Sequence, residues 1–384
     1  MANNNDKKVL NVPALRFPEF TGEWENITIR EACSEFQSGK NIKAEMINDQ
    51  GLYPVYGGNG LRGFTGSYNH DGDYILIGRQ GALCGNVRKV TGKTYVTEHA
   101  IAVCASKEHE TTFLQHLFQK MRLGQYSDQS AQPGLAVNKL LRLNINVPSK
   151  IEQGKIAKIL SLIDERITNQ NKIIEKYESL IQAIIYKKKT DGIRKGNWQK
   201  TELSKVLQER TEKNINGYTV CSVSVSQGVI NQIEYLGRSF AAKETSHYNV
   251  VKYGDIVYTK SPTGDFPYGI VKRSYIKNAV AVSPLYGVYK PINDNIGVIL
   301  HFYFMQPNNA FNYLYPLIQK GAKNTINITN TRFLENSIPL PKTEDEAVYI
   351  ANALTRIQTK IDIEKSLLRS YEREKQYLLR QMFI

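Results

Sequence analysis

The sequence predicts an α+β fold with two globular domains of mixed strands and short helices, separated by two long helices that pack together as an antiparallel coiled coil. Two stretches carry heptad-spaced apolar residues, which is typical of long coiled-coil helices. Each follows a globular stretch that opens on one of the chain's two tryptophans, Trp24 and Trp198. The chain is therefore expected to contain the same plan twice, related by a pseudo-twofold axis.

An internal repeat supports this plan. Tyr177-Glu178 recurs as Tyr371-Glu372, an offset of 194 residues (371 − 177), and the same offset relates Ile156-Ala157 to Ile350-Ala351. The matching residues lie in the heptad segments, whereas the globular stretches before them agree poorly. A duplicated protein of this kind is expected to use its two helices for the same task and its two domains to recognise different things.

The first globular domain, with its lead-in, is predicted to occupy residues 1–148. Residues 11–23 contain two prolines, which favour an extended segment. Residues 71–78 predict a turn that leads into a short strand, and residues 93–97 and 100–104 predict two further strands. Residues 111–123 have apolar residues at helical spacing, so a helix is expected there.

The first long helix is predicted to span residues 149–190. Apolar residues recur every seven positions in two interleaved series for about four heptads. We expect the helix to end at Lys187-Lys188-Lys189, because cations favour the last turn of a helix, and a loop with Gly192 and Gly196 to follow. The predicted seam residues are Ile156, Leu160, Ile163, Ile167, Ile174, Tyr177 and Ile181.

The second half repeats this order, with a second globular domain predicted at residues 191–341 and a second long helix at residues 342–384. Strands are predicted at residues 253–260, 279–283 and 285–289. The predicted seam residues of the second helix are Ile350, Leu354, Ile357, Ile361, Leu368, Tyr371 and Leu378.

Each long helix has an obvious partner in the other. At ~1.5 Å of rise per residue, a helix of this kind is on the order of 50 Å long. An antiparallel pair would act as a rod-shaped spacer with a globular domain at either end, and the duplication favours this intramolecular pairing. Two alternatives stay open, namely that each helix packs only on its own domain or that the seam drives homodimerisation.

Composition and charge favour a nucleic-acid partner. The formal net charge of +14 favours a polyanion, because neutralising phosphates releases condensed counterions. No apolar run is long enough to span a bilayer, and the polar N-terminal residues do not resemble a secretion signal. The four cysteines show no CxxC spacing, which indicates free thiols. We expect a cytoplasmic protein.

Several strings resemble catalytic motifs, but each lacks a residue that the motif requires. Thr91-Gly92-Lys93-Thr94 resembles the end of a P-loop, but the required glycine is replaced by Val87. Ser283-Pro-Leu-Tyr lacks the second proline of an adenine-methyltransferase tetrapeptide. Glu98-His99 is expected to be a polar pair near a strand end, and the histidines have no metal-like spacing. The chain is therefore predicted to have no catalytic activity of its own and no metal site.

What remains is a binding surface. Arginine pairs with guanine and glutamine or asparagine with adenine, whereas lysine, serine and threonine mostly contact phosphate, and loops on a strand scaffold can enter the major groove. Residues of these types, with tyrosines nearby, lie in or beside glycine-rich turns of both domains. The candidate DNA-binding residues are Arg62, Tyr68, Arg79, Gln80, Arg88, Lys89, Lys93, Lys243, Lys260, Ser261, Thr263, Lys272, Arg273, Lys323, Asn324 and Asn327.

Several strings resemble the DNA-specificity subunits of type I restriction-modification systems, and the resemblance covers essentially the whole chain. They occur at residues 12–20, 53–60, 78–82, 132–140 and 147–157, the last being the most specific. In the second half that string is degraded to residues 338–347. The turn with Arg79-Gln80 has no direct counterpart there, and Lys260-Ser-Pro-Thr-Gly is expected to take its place.

The resemblance implies a non-catalytic reader in which each domain recognises one half of a split DNA sequence and the paired helices set the length of the gap. It implies double-stranded DNA, two copies of a methyltransferase subunit, and restriction/translocase subunits as partners. No cofactor is expected on this chain, since S-adenosylmethionine, ATP and magnesium would belong to the partner subunits.

Two other functions remain as alternatives. The first is a self-contained DNA adenine methyltransferase or nuclease with divergent motifs, which would bind S-adenosylmethionine if it were a methyltransferase. The second is a coiled-coil scaffold that binds protein, whose affinity would depend only weakly on salt.

Overall fold

The computed structural model describes residues 11–128, 134–238, 241–320 and 326–384. Contacts divide the chain into two compact units. Unit 1 comprises Met1–Asn171 together with Ser366–Ile384, and unit 2 comprises Lys172–Lys365. Each unit therefore contains one globular region and a part of each long helix.

Two helices are far longer than the others, and both were predicted from the heptads. None of the helices in the described ranges is long and apolar enough to cross a membrane. The helices are α1 (Ile29–Ala32), α2 (Thr111–Met121), α3 (Val137–Leu140), α4 (Lys150–Lys195), α5 (Gln232–Leu236), α6 (Asp294–Phe304), α7 (Pro307–Leu314), α8 (Asn330–Phe333) and α9 (Glu344–Gln381).

The strands of unit 1 build a four-stranded antiparallel sheet in the order β2-β8-β5-β6, a three-stranded sheet in the order β4-β3-β7, and the pair β1-β9. Only the β3–β7 pairing within these sheets is parallel. The strands are β1 (Glu25–Thr28), β2 (Cys33–Ser38), β3 (Tyr53–Gly57), β4 (Gly60–Thr65), β5 (Asp73–Gly78), β6 (Val87–Thr91), β7 (Tyr95–Val96), β8 (Ala100–Ala105) and β9 (Asn144–Val147).

Unit 2 contains a second four-stranded antiparallel sheet, in the order β11-β18-β15-β16, and the pairs β10-β21, β12-β13, β14-β17 and β19-β20. The strands are β10 (Trp198–Glu202), β11 (Leu207–Glu209), β12 (Cys221–Ser224), β13 (Gly228–Asn231), β14 (Asn249–Val251), β15 (Ile256–Tyr258), β16 (Val271–Arg273), β17 (Val280–Val282), β18 (Gly287–Pro291), β19 (Gln319–Lys320), β20 (Ile326–Asn327) and β21 (Ser337–Pro341).

The two units share one topology, which confirms the predicted internal repeat. The sheet order β2-β8-β5-β6 corresponds to β11-β18-β15-β16. A helix follows the second of these strands in each unit, α2 after β8 and α6 after β18. A four-residue helix then precedes the strand that pairs with the first strand of the unit, and a long helix follows directly. The predicted α+β fold class is therefore correct.

A tryptophan precedes or begins the first strand of each unit and contacts one end of α9. Trp24 contacts the C-terminal end, and Trp198 contacts the N-terminal end. In unit 1, Trp24 is buried and its ring lies 6.1 Å from that of Phe113 and 6.4 Å from that of Phe383. In unit 2, the buried Trp198 donates its indole N–H to Glu346 Oε1 over 3.1 Å. A buried indole usually finds a partner for its polar end, and Trp198 finds it on the long helix.

The long helices run antiparallel within unit 1. Asp164 of α4 forms an ion pair of 2.6 Å with Lys375 of α9, and the guanidinium of Arg166 lies 5.9 Å from the ring centre of Tyr371. Partner numbers fall on α9 as they rise on α4, which defines antiparallel packing.

The same direction holds within unit 2. Glu178 forms an ion pair of 2.7 Å with Lys365, and Lys188 lies 4.8 Å from the ring centre of Tyr349.

The heptad seam is the best-predicted feature of the sequence. Every predicted seam residue is buried or half-buried, as a coiled-coil seam requires. Ile156, Leu160, Ile163, Ile174, Ile181, Ile350, Leu354 and Ile361 are buried. Ile167, Tyr177, Ile357, Leu368, Tyr371 and Leu378 are half-buried.

The predicted end of the first helix is wrong. α4 continues past Gly192 to Lys195 and ends at Gly196, which has a left-handed φ of +74°. Asn197 N–H donates to Gly192 O and Gly196 N–H to Ile193 O, the two bonds of a Schellman motif. A Cβ at Gly192 would lie 2.0 Å from Cδ1 of Trp198, so this glycine serves packing inside the helix.

The extended lead-in is fixed to the start of α4. Arg16 donates from Nε and Nη2 to the two carboxylate oxygens of Glu152, both over 2.8 Å. Glu152 is buried, and such a bidentate charged pair is among the stronger hydrogen-bonded contacts. The lead-in predicted at residues 11–23 is thus an ordered part of unit 1.

Candidate nucleic-acid interface

The loop that follows β5 in unit 1 corresponds to the loop that follows β15 in unit 2. Ile77 pairs with Val87 and Gly78 N–H donates to Asn86 O, while Tyr258 pairs with Val271 and Thr259 N–H donates to Ile270 O. This shared register makes Arg79 equivalent to Lys260 and Gln80 to Ser261. The sequence prediction that Lys260-Ser-Pro-Thr-Gly takes the place of Arg79-Gln80 therefore agrees with the strand register.

In unit 1, two predicted arginines flank the tight turn between β3 and β4. A Cβ added at Gly57 would lie 2.8 Å from Cδ of Arg62, and one added at Gly60 would lie 2.8 Å from Nη1 of Arg88. The turn therefore has room for these side chains only because it carries glycine. A narrow recess beside it is lined by Gly57, Gly58, Gly60, Leu76, Gly78, Asn86 and Arg88.

Gln80 belongs to the same surface and is held by its neighbours. Its Oε1 lies 3.2 Å from Nδ1 of His99, whose Nε2 lies 3.2 Å from Glu98 Oε1. Arg79 N–H donates to His99 O over 2.9 Å, and Leu135 N–H donates to Arg79 O over 2.9 Å. Arg62, Gln80 and Arg88 are exposed and Arg79 is half-buried, so an ordered backbone presents guanidinium and amide groups outward.

A second cluster in unit 1 combines a cation with two rings. Lys93 Nζ lies 4.7 Å from the ring centre of Tyr68, which lies 5.0 Å from that of Tyr53. Tyr68 and Lys93 were predicted as binding residues, but Tyr53 was not, because the contact joins residues that are far apart in sequence. An ammonium above an aromatic face is held in place with its outer side free to meet phosphate.

Lys89 is engaged within the protein. Its Nζ lies 3.0 Å from Asp73 Oδ2 and 3.1 Å from Thr112 Oγ1 at the start of α2. This lysine connects the edge strand β6 to the helix that packs on it, which is a structural task.

For Lys272 and Arg273 the predicted DNA contact is wrong. Lys272 is 3% exposed and the side chain of Arg273 is fully buried. Arg273 forms an ion pair with Asp294 at the start of α6, and its guanidinium lies 4.7 Å and 4.5 Å from the ring centres of Tyr253 and Tyr275. By register Arg273 is the counterpart of Lys89, since Ile75 pairs with Lys89 and Ile256 with Arg273. Both cations connect an edge strand to a helix.

Burial sets the protonation of this region of unit 2. It lowers the pKa of Lys272 to about 8. Burial, with the nearby Lys272 and Arg273 charges, lowers the pKa of His301 to about 3. The neutral His301 ring accepts the backbone N–H of Arg273 at Nδ1 over 3.1 Å. A buried neutral imidazole is therefore part of the framework here.

Three of the seven remaining candidates of unit 2 lie in the β15–β16 loop. Ser261 and Thr263 are exposed, and Lys260 is half-buried, with burial lowering its pKa against the raising effect of Glu209. Backbone hydrogen bonds of 3.0 Å join Thr263 and Phe266 in both directions, and Phe266 is buried, so the loop is anchored. Lys243 is exposed and Asn327 lies in β20, whereas Lys323 and Asn324 fall outside the described residues.

Three aromatic residues of unit 2 were missed from the sequence. Tyr268 lies in the β15–β16 loop, and its ring centre is 5.3 Å from that of Phe311 and 6.0 Å from that of Tyr315. The spacing of Phe311 and Tyr315, which is i and i+4, is the only local signal, and it does not reveal a ring from the β15–β16 loop.

The topology and the repeated helices can be compared with those of known proteins. The sequence model of the family described as "Type I restriction modification DNA specificity domain" matches residues 21–179 and 198–373. The chain belongs to this family. The match occurs once in each half, as the duplicated topology requires, and the family resemblance predicted from the sequence strings is confirmed.

Curated members of the specificity-subunit group match over part of their length. The type I restriction enzyme EcoprrI specificity subunit of Escherichia coli is 42% identical over 154 residues, which are 39% of this chain and 38% of that protein. The putative type I restriction enzyme specificity subunit S.HindORF215P of Haemophilus influenzae is 23% identical over 144 residues, 37% of each chain. Each alignment thus spans well under half of the relative.

A solved specificity subunit has the same fold. The crystal structure of a type I restriction-modification S subunit from M. genitalium superposes with a TM-score of 0.67 at 16% sequence identity, covering 97% of this chain and 99% of that chain. At this identity the likeness concerns the fold.

Proposed function

We propose that this chain is the DNA-recognition subunit of a type I restriction-modification complex, in which unit 1 reads one half of a bipartite asymmetric target and unit 2 reads the other. The observation that carries the proposal is the pair of equivalent loops after β5 and β15. They stand on the same strand framework but present Arg79-Gln80 in one unit and Lys260-Ser261 in the other. Different side chains at one position of a repeated framework suit different base sequences.

The exposed groups of unit 1 have the chemistry for base reading. Arginine pairs bidentately with guanine O6 and N7, and glutamine with adenine N6 and N7. Arg62 and Arg88 flank the Gly57–Gly60 turn, and Gln80 is oriented by His99. Lys93 above Tyr68 suits a phosphate contact, which fixes the register of the protein on the duplex without reading sequence.

The long helices would set the gap between the half-sites and bind two methyltransferase subunits. Besides the seam, α4 and α9 keep large apolar side chains exposed, including Leu162 (50%), Ile363 (54%) and Tyr377 (52%). Apolar surface of this kind suits a protein partner. Since the two helices are repeats, two copies of one partner are expected. Restriction/translocase subunits would complete the complex, with S-adenosylmethionine, ATP and magnesium on the partners and no catalysis by this chain.

The proposal is tested by mapping modified adenines. The chain is co-expressed with its methyltransferase subunit in a host that lacks other adenine methylation, and methylated positions are read at single-nucleotide resolution. A split motif with two unlike halves and a fixed unread gap supports the proposal. A continuous motif, or methylation by the chain without its partner, contradicts it.

A further inference from the structure

Unit 2 is longer than unit 1 at two places that meet in space. The β15–β16 loop occupies residues 259–270, against residues 79–86 between β5 and β6. The stretch between α6 and α8 occupies residues 305–329, against residues 122–136 between α2 and α3. Tyr268 comes from the first extension, and Phe311 and Tyr315 come from the second. Their rings form one cluster, which we call the aromatic trio.

The aromatic trio is not part of the core. Phe311 is 39% exposed and Tyr315 is 58% exposed. Their rings are stacked with centres 5.4 Å apart and planes 9° apart. The opposite face of α7 supplies the core contacts, through the buried Ala310, Tyr313 and Leu314. The two stacked rings offer a contiguous apolar surface to a ligand or partner.

The framework holds the trio in a defined position. The buried Tyr258 of β15 donates its hydroxyl to Tyr268 O over 2.9 Å. Gly269 has a left-handed φ of +97°, and a Cβ there would lie 1.9 Å from Thr259 O, so the loop is closed tightly at its base. The ring of Tyr268 is therefore carried by a constrained loop, and a constrained ring contacts a ligand at low entropic cost.

The location identifies the occupant. Tyr268 of the trio lies in the β15–β16 loop. The first residues of that loop, Lys260 and Ser261, are the register counterparts of Arg79 and Gln80. Ser261 and Thr263 are exposed polar groups on that same loop, and the chain carries a net charge of +14. A DNA duplex offers partners for all of these groups, since its base edges can contact the rings and its phosphates can contact the lysine and the hydroxyl groups.

We propose that the aromatic trio contacts the 5-methyl group of a thymine in the half-site read by unit 2. This inference rests on the proposed function. Thymine is the base that presents a methyl group in the major groove of B-DNA. Phenylalanine and other apolar groups read that methyl directly. Unit 2 thus reads part of its half-site by apolar contact.

The test uses the complete complex of this chain with its methyltransferase and a duplex carrying the mapped target. Phe311→Ala and Tyr315→Ala are each expected to weaken binding about fourfold, which corresponds to the burial of one methyl group at about 0.8 kcal/mol. The slope of log affinity against log salt stays unchanged, because no phosphate contact is lost. Ile292→Ala is the matched control. Ile292 is 63% exposed and follows Pro291 at the end of β18, whereas the β15–β16 loop lies beside Gly287 at the start of β18.

Deoxyuridine supplies the decisive comparison, since it lacks only the methyl group. Replacing one thymidine of the unit 2 half-site by deoxyuridine weakens wild-type binding, and the same replacement has no further effect in the Tyr315→Ala variant. Tyr315→Phe keeps the ring and retains wild-type behaviour. Unchanged binding by both alanine variants overturns the inference, as does an equal loss on thymidine and deoxyuridine duplexes.

Further outcomes distinguish a failure of this inference from a failure of the proposed function. Loss of methyltransferase association in the alanine variants, with DNA contact unaffected, would assign the trio to a protein partner and overturn the inference. If the wild-type complex methylates a split motif but the variants are unaffected, only this inference fails. If the wild-type motif is continuous, the proposed function itself fails.

Discussion

Unit 1 and unit 2 place chemically different groups on one framework. Arg88 and Lys272 are equivalent by register, since Arg88 pairs with Leu76 and Lys272 with Val257. Arg88 is exposed beside the Gly57–Gly60 turn, whereas Lys272 is 3% exposed. The duplication has kept the strands and their register while the groups that reach the surface have changed. Equivalent positions therefore do not imply equivalent roles.

The largest effect is expected from changing one long helix and not the other. Inserting seven residues after Asn171, in α4 alone, moves one side of the pair by about 10 Å. Ion pairs such as Asp164–Lys375 and Glu178–Lys365 could not then form together. Methylation by the complex should fall to background. Normal methylation of the original target by this variant would refute the spacer role of the helices.

A matched insertion keeps the pair in register. Seven residues inserted in both helices, after Asn171 and after Lys365, should restore methylation on a target whose gap is longer by about three base pairs.

The next effect comes from the buried cation of unit 2. The pKa of Lys272 is about 8 in the folded chain, below its ordinary value of 10.5, so the unfolded chain binds more protons between those values. The free energy of unfolding should therefore rise as the pH increases from about 8 to about 10.5, by on the order of 3 kcal/mol. Denaturant unfolding of the wild type and of Lys272→Met across this range measures the difference. Parallel pH profiles for the two proteins would contradict the burial of a charged Lys272.

A smaller difference separates the two cations that connect an edge strand to a helix. Arg273→Met should lower the free energy of unfolding by about 2 kcal/mol, because a fully buried guanidinium loses Asp294 and two tyrosine faces. Lys89→Met should cost less than about 1 kcal/mol, since its ion pair with Asp73 is partly exposed. Equal losses in chemical denaturation would show that the two contacts are equally important.

The sequence predicted those features that periodicity records directly. Every seam residue that the heptads predicted is buried or half-buried, because a residue facing the partner helix must be apolar at a fixed spacing. The repeat offset predicted the shared topology for the same reason. The glycines did not predict the end of α4 correctly. Gly192 lies inside the helix, where it allows close packing of Trp198, and only Gly196 ends the helix.

Side chains in the loops and edge strands were harder to interpret. Lys272 and Arg273 resemble a surface pair in the sequence, but both are buried, and Arg273 packs against Tyr253, Tyr275 and Asp294 of α6. The aromatic trio joins residues 268, 311 and 315, which no local pattern connects. Exposure and long-range contacts depend on tertiary structure, so sequence spacing alone does not give them.

The most direct test of two different readers in one chain is a paired mapping of adenine methylation with Arg88→Ala and Lys260→Ala, each expressed with the methyltransferase subunit. Arg88→Ala should relax the base requirement at a position in one half of the motif, with a loss of about tenfold at that base. Lys260→Ala should relax the base requirement in the other half only, since lysine also pairs with guanine O6 and N7. Changes in the same half for both variants would contradict the assignment of one half-site to each unit.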